Sequence, residues 1–233
     1  TSTNGHFLLS NHGNLSFGSN WKFNASSSIE GTGGVTFSSG TDTITGKYNV
    51  SDSTQFSSGT ITFNGAASSV LSVGSKLIMN NGTANFNSGD SIIVSTFNLS
   101  GGTLSGNSPM RVASQFNWSG GTLSATDSNV TTAVSSTLCT NTNHFLIRRT
   151  LINQGTITWP SGDWYFSDGA IIRNLSGSVI DIQGNNYFGY NVGSVPRFIN
   201  KGTLKKTAGT GVTDIQIQSA DTNAVIQIQS GTM

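Results

Sequence analysis

A short phrase keeps returning in this chain, and it constrains the fold more than any other feature. Phe97-Asn98-Leu99-Ser100-Gly101-Gly102-Thr103-Leu104 recurs 19 residues later as Phe116-Asn117-Trp118-Ser119-Gly120-Gly121-Thr122-Leu123, with one apolar residue exchanged. Looser copies flank these, among them Gln55-Phe56-Ser57-Ser58-Gly59-Thr60-Ile61 and Leu151-Ile152-Asn153-Gln154-Gly155-Thr156-Ile157. A unit of this length holds two or three short strands with their turns, and it cannot bury its apolar side alone. Stacked units can, so the chain reads as a solenoid.

Alternation supports strands as the repeating element. Val35-Thr36-Phe37, Ile61-Thr62-Phe63, Ile157-Thr158-Trp159 and Ile180-Asp181-Ile182 all run apolar-polar-apolar. Helix formers are scarce, and no stretch carries apolar residues at helical spacing. The expected fold is therefore all-β, a parallel β-helix (β-solenoid) of roughly ten coils with almost no helix. At about 4.8 Å per coil, such a stack forms a rod about 50 Å long. Phe97, Phe116 and Phe198, like Leu104 and Leu123, are expected to align as inward ladders.

A Gly precedes most apolar strands and serves as a corner marker. Gly13, Gly34, Gly59, Gly82, Gly102, Gly121, Gly155, Gly177, Gly202 and Gly231 form one series, with longer gaps after Gly121 and Gly202. Asn129 to Asn143 breaks the period and reads as a lateral loop. The expected organisation is one continuous solenoid over 1–233. Smaller Ser/Thr-rich coils fill about 1–140, and larger aromatic and basic coils fill about 141–233. The last residues, Gly231-Thr232-Met233, look like the middle of a further repeat.

Composition narrows the function. Only 9% of residues are charged, the net charge is +1 and 34% are hydrophobic. Disorder goes with high net charge and few apolar residues, so it does not fit. No apolar run is long enough for a spanning helix. Basic residues are local, around Lys205 and at Arg148-Arg149, so nucleic acid is not an expected partner. Cys139 is the only cysteine, which rules out an internal disulfide and suits a small buried hydrophobe.

The phrases Phe-Asn-x-Ser-Gly-Gly-Thr-Leu and Leu151-Ile152-Asn153-Gln154-Gly155-Thr156-Ile157-Thr158-Trp159-Pro160-Ser161-Gly162-Asp163 resemble repeats in large secreted, adhesin-like parallel β-helix proteins. So does Pro196-Arg197-Phe198-Ile199-Asn200-Lys201-Gly202-Thr203-Leu204. The resemblance covers most of the chain from Gly59 onward. It implies a right-handed coil and an extracellular location on a surface or in a matrix. It implies a structural, adhesive role and brings no catalytic residues.

β-Helices also house enzymes that cut polysaccharides, using clustered acids on adjacent coils. The acids here are scattered. Asp163 and Asp168 are the closest C-terminal pair, with Asp181 one coil on and Arg173 or Arg197 in reach. Ser88-Gly89-Asp90 recurs as Ser161-Gly162-Asp163, which suits a corner residue. No enzyme activity, metal or other cofactor is expected; His6, His12 and His144 show no ligand spacing with Cys139.

Two sets of surface residues are singled out. Trp159, Trp164, Tyr165, Tyr187 and Tyr190 could meet a sugar or a protein partner, because alternation sends some of them outward. A carbohydrate-binding or carbohydrate-active β-helix is the alternative function they suggest. Eight glycosylation sequons stand at Asn14, Asn24, Asn49, Asn81, Asn98, Asn117, Asn129 and Asn174. That number is what chance gives in a chain this rich in Asn, Ser and Thr. Asn98 and Asn117, however, hold the same repeat position. The partners expected are further repeats of the same protein or a second copy stacked end to end, and glycans. Thr41-Asp42-Thr43 and Thr156-Ile157-Thr158 raise an ice- or mineral-binding face, but the spacing looks too irregular to bring such residues into register.

Overall fold

Alternation and Gly corners produce the expected coil. The computed structural model describes residues 2–233, with side chains from Asn4 onward. It is a β-solenoid of about eleven turns, all its strand pairs are parallel, and no helix occurs among the described residues. An early coil lays down three short strands in succession, such as Ser28–Gly31, Gly34–Phe37 and Thr41–Ile44. These belong, in chain order, to a first, a second and a third face. From Ile92–Leu99 to Thr150–Trp159 the first two faces share one longer strand per coil. They separate again at Ile171–Asn174 and Val179–Ile182. The third face stays one sheet of eleven strands throughout.

The core is built as columns, because residues one coil apart lie directly above each other. On the second face Phe17, Phe37 and Phe56 are successive partners, with the Phe37 and Phe56 rings stacked at 5.5 Å. Phe97 stacks on Phe116 at 4.9 Å, and Leu104 partners Leu123, as the repeat phrase predicts. Each such ring gains about 1.5–3 kcal/mol from burial and about 0.5–1.5 kcal/mol more from a well-placed ring partner. Phe198 does not join this ladder. It lies on the first face between Ile172 and Ser219.

Two other expectations need correction. The Gly series is not one corner but two. Gly34, Gly155 and Gly202 open second-face strands, whereas Gly59, Gly82, Gly102 and Gly121 precede third-face strands. The long gap after Gly121 is a change of corner. Residues 129–143 are no lateral loop either. Thr131–Cys139 is a nine-residue strand inside the stack, paired on both sides. Its Thr132, Val134, Thr137 and Cys139 point inward, so polar inward residues had hidden the strand pattern. Register partners stand 18 residues apart from Ile92 to Met110 and 26 apart from Ile172 to Phe198. Corners absorb the difference.

Polar side chains are buried where they can bond along the stack. Asn153, Asn174 and Asn200 form an amide ladder between the first and second faces. Asn153 Nδ2 donates to Asn174 Oδ1 at 2.8 Å, and Asn174 Nδ2 donates to Asn200 Oδ1 at 2.8 Å. Arg149, 1% exposed, spans three coils at the corner between the third and first faces. It donates to Thr132 Oγ1, Ser124 O and Ser108 O at 2.7–2.8 Å. Among the described residues no carboxylate pairs with it, and burial pulls its guanidinium down to about 10.

Candidate functional site

The third face carries the most regular outward surface. Its regularity begins at a corner. Gly40, Gly59, Gly82, Gly102 and Gly121 each hold φ between 76° and 94°, a region closed to most side chains. They also stack tightly: a Cβ on Gly82 would lie 2.5 Å from Gly59 O, and one on Gly102 2.5 Å from Gly82 O. The carbonyls of the first four then accept the N–H of the Thr one coil on, and that of Gly121 accepts the Phe145 N–H. Thr60, Thr83, Thr103 and Thr122 donate in this way at 2.8–2.9 Å. Corner and strand start are thus fixed together.

The consequence is a column of five outward threonines. Thr41, Thr60, Thr83, Thr103 and Thr122 are direct register partners from coil to coil, without a bulge. Two residues along each strand a second column follows, through Thr43, Thr62, Asn85 and Ser105. Asn85 Nδ2 donates to Thr62 Oγ1 at 3.4 Å within it. None of these nine side chains is charged. The irregular spacing in the sequence, which argued against such an array, has a local cause. Between Phe63 and Val70 the chain inserts a longer turn than between Ile44 and Lys47, and this lies at the next corner. The array itself is not interrupted.

Above Thr122 the first column turns aromatic. Phe145 partners Thr122, and Tyr165 partners Phe145 with rings stacked at 5.5 Å. Tyr187 meets Tyr165 edge-on at 5.8 Å. Tyr190 is exposed. The five aromatic residues expected at the surface therefore divide. Tyr165, Tyr187 and Tyr190 face out, but Trp159 and Trp164 are at most 1% exposed and belong to the core. Their rings pack at 5.1 Å, and Trp159 Nε1 donates to Gly162 O. Parity decides this: in Trp164-Tyr165-Phe166 the outer two residues continue inward columns. Phe145, which sequence reasoning passed over, completes this half-buried, outward ring stack.

Behind the array lies a buried acid. Asp42 occupies an inward position beside Ile61 and is fully buried. Its Oδ1 accepts the Trp21 N–H at 2.8 Å, while Oδ2 has no hydrogen-bond partner among the described residues. Burial pushes its carboxyl up to about 6. His144 is also inside. Its Nε2 donates to Trp118 O at 2.7 Å, and burial lowers its pKa. Cys139 sits in the same interior, where burial raises its thiol.

The acids weighed for catalysis are kept apart. Asp163 caps a corner, its Oδ1 accepting the Tyr187 N–H at 3.1 Å. Asp90 does the same for Ser68 and Val70. Asp168 pairs with Arg148 at 3.4 Å, and Asp181 pairs with Lys205 at 3.4 Å on the outer second face.

No family model, no curated protein and no solved structure matches this chain.

The sequons divide by burial too. Asn14, Asn81 and Asn129 are exposed; Asn24, Asn49, Asn98 and Asn117 are half-buried. Asn98 and Asn117 do share a register position, and Asn117 Nδ2 donates to Asn98 Oδ1 at 2.8 Å. Asn174 is 0% exposed and is the middle rung of the buried ladder, so in the folded chain it is no glycan acceptor.

Proposed function

We propose that this chain is a length of an extracellular, structural and adhesive β-solenoid, and that it performs no catalysis. The observation that carries this reading is the third face, a single sheet whose outward column runs in register from Thr41 to Tyr165. A stiff shaft that repeats one surface element offers many weak contacts in fixed geometry, and these reinforce one another. Asn, Ser and Thr at the exterior, with sequon Asn81 and Asn129 exposed, suit a secreted setting.

The coil at Val225–Ile228 leaves Val225, Ile226 and Ile228 about half exposed. Such an apolar edge suits stacking on further coils of the same kind, in flanking repeats or in a second copy. End-to-end stacking is heterologous and generates filaments rather than closed rings. A second reading, carbohydrate binding, is favoured by the outward cluster of Phe145, Tyr165 and Tyr187, an uncharged aromatic patch of the kind that marks contact surfaces.

The test is adhesion of the purified chain to glycan-coated and protein-coated surfaces, with electron microscopy of particle length. Native binding that falls in Tyr165→Ala/Tyr187→Ala, with unchanged melting, supports the reading. So do filaments that shorten in Ile228→Lys. A native chain that neither adheres nor assembles overturns it, as does polysaccharide cleavage lost in Asp163→Asn.

A further inference from the structure

We propose that the threonine array of the third face is an ice-binding surface. This goes beyond the adhesive reading and rests on different residues from the aromatic stack. The array repeats in two directions. Along the stack its side chains recur once per coil, at about 4.8 Å, and along each strand they recur every second residue, at about 6.6–6.8 Å. The register is continuous from Thr41 through Thr122 in one column and from Thr43 through Ser105 in the other.

A small ligand cannot use such a surface. A single sugar or peptide would touch one or two rungs and leave the rest idle. A partner that meets every rung at once must itself be periodic in two dimensions, as a crystalline solid is.

Side-chain chemistry selects which solid. The nine positions hold only hydroxyls and one amide, with no charge. A carbonate, phosphate or silicate mineral would call for charged groups to match its ions. Each Thr hydroxyl both donates and accepts, as a water molecule in ice does. Each Thr also presents a methyl, whose burial against the solid releases hydration water. β-Branching limits χ1, so the array is ordered before it binds and little rotamer entropy is lost on contact. Crystalline polysaccharides are neutral lattices too, but their recognition relies on ring stacking. Rings begin only at Phe145, above the array.

The experiment uses the full chain made without glycosylation, because the Asn81 sequon includes Thr83. Two readouts are taken: partition into a slowly grown ice front, and the gap between melting and freezing of a single ice crystal. The native chain is expected to enter the ice and open the gap. Thr83→Arg, at the centre of the first column, should lose both with unchanged melting temperature. Gln55→Arg, outward on the second face, should behave as native. Should Thr83→Arg disturb folding, Thr103→Ser is read instead; it keeps the hydroxyl, removes the methyl and must narrow the gap. Exclusion of the native chain from ice overturns the proposal. So does full activity of a folded Thr83→Arg, equal loss in Gln55→Arg, or retention on crystalline cellulose or chitin through Thr83 without ice binding.

Discussion

Removing the middle rung of the amide ladder should be among the costliest single changes in this chain. Asn174 accepts from Asn153 at 2.8 Å and donates to Asn200 at 2.8 Å and to Thr203 O at 3.1 Å. Asn174→Ala removes these three bonds and a longer one to Ser178 O at 3.5 Å. Asn153 Nδ2 keeps Val179 O, and Asn200 Oδ1 keeps the Gly202 N–H, so neither is left bare. With about 1 kcal/mol for each bond lost and a cavity left where the buried amide stood, the loss is about 2–4 kcal/mol. Asn174→Asp should differ in kind. A carboxylate can still accept from Asn153, but it faces Asn200 Oδ1 and Thr203 O, both acceptors. Its folded pKa must rise above that of an unfolded Asp, so the protonated form is favoured in the fold. Stability is then lowest at neutral pH and recovers as pH falls from about 7 toward 4. Urea unfolding followed by tryptophan fluorescence measures both effects, and hydrogen exchange at Val179–Ile182 and Thr203–Lys206 localises them. A native-like midpoint for Asn174→Ala, or an Asn174→Asp midpoint that ignores pH, would refute the reasoning.

Asp42 supplies a pH test of the native chain. Its folded carboxyl, raised to about 6, binds a proton more readily than the unfolded one, so stability should rise as pH falls from about 7 to 4, by up to ~3 kcal/mol. Asp42→Asn should flatten this profile in denaturant titrations at several pH values. Gly82→Ala combines a left-handed φ with a Cβ 2.5 Å from Gly59 O, whereas Gly89→Ala shares the φ but meets nothing within 4 Å. The first should lower the melting temperature well beyond the second, which costs only about 1–2 kcal/mol of backbone strain. Arg149→Ala leaves Ser108 O, Ser124 O and Thr132 Oγ1 without their donor and opens a void, so a loss of about 3–5 kcal/mol is expected in urea unfolding. Arg149→Met, which fills the space, should recover part of it.

The repeated phrase and the strand alternation determined the class of fold by themselves. A unit of about twenty residues with a Gly corner and alternating apolar residues has no stable form except a stack. The inward Phe97–Phe116 and Leu104–Leu123 columns follow from the same phrase. Local patterns could not decide what depends on the neighbour one coil away. Alternation gives two sides of a strand, but the parity with which the chain leaves a corner chooses the inner one. That choice buried Trp159 and Trp164 and exposed Tyr165. Asn174 fits a glycosylation triplet and a ladder rung equally well as a sequence; only Asn153 below it and Asn200 above it make it a rung. The threonine array was hidden for the same reason. Corner lengths vary where the third face gives way to the first, so spacing along the chain is irregular. Backbone hydrogen bonds between successive Gly-Thr corners nevertheless start the third-face strands at Thr60, Thr83, Thr103 and Thr122 in step, and that alignment exists only in the stack.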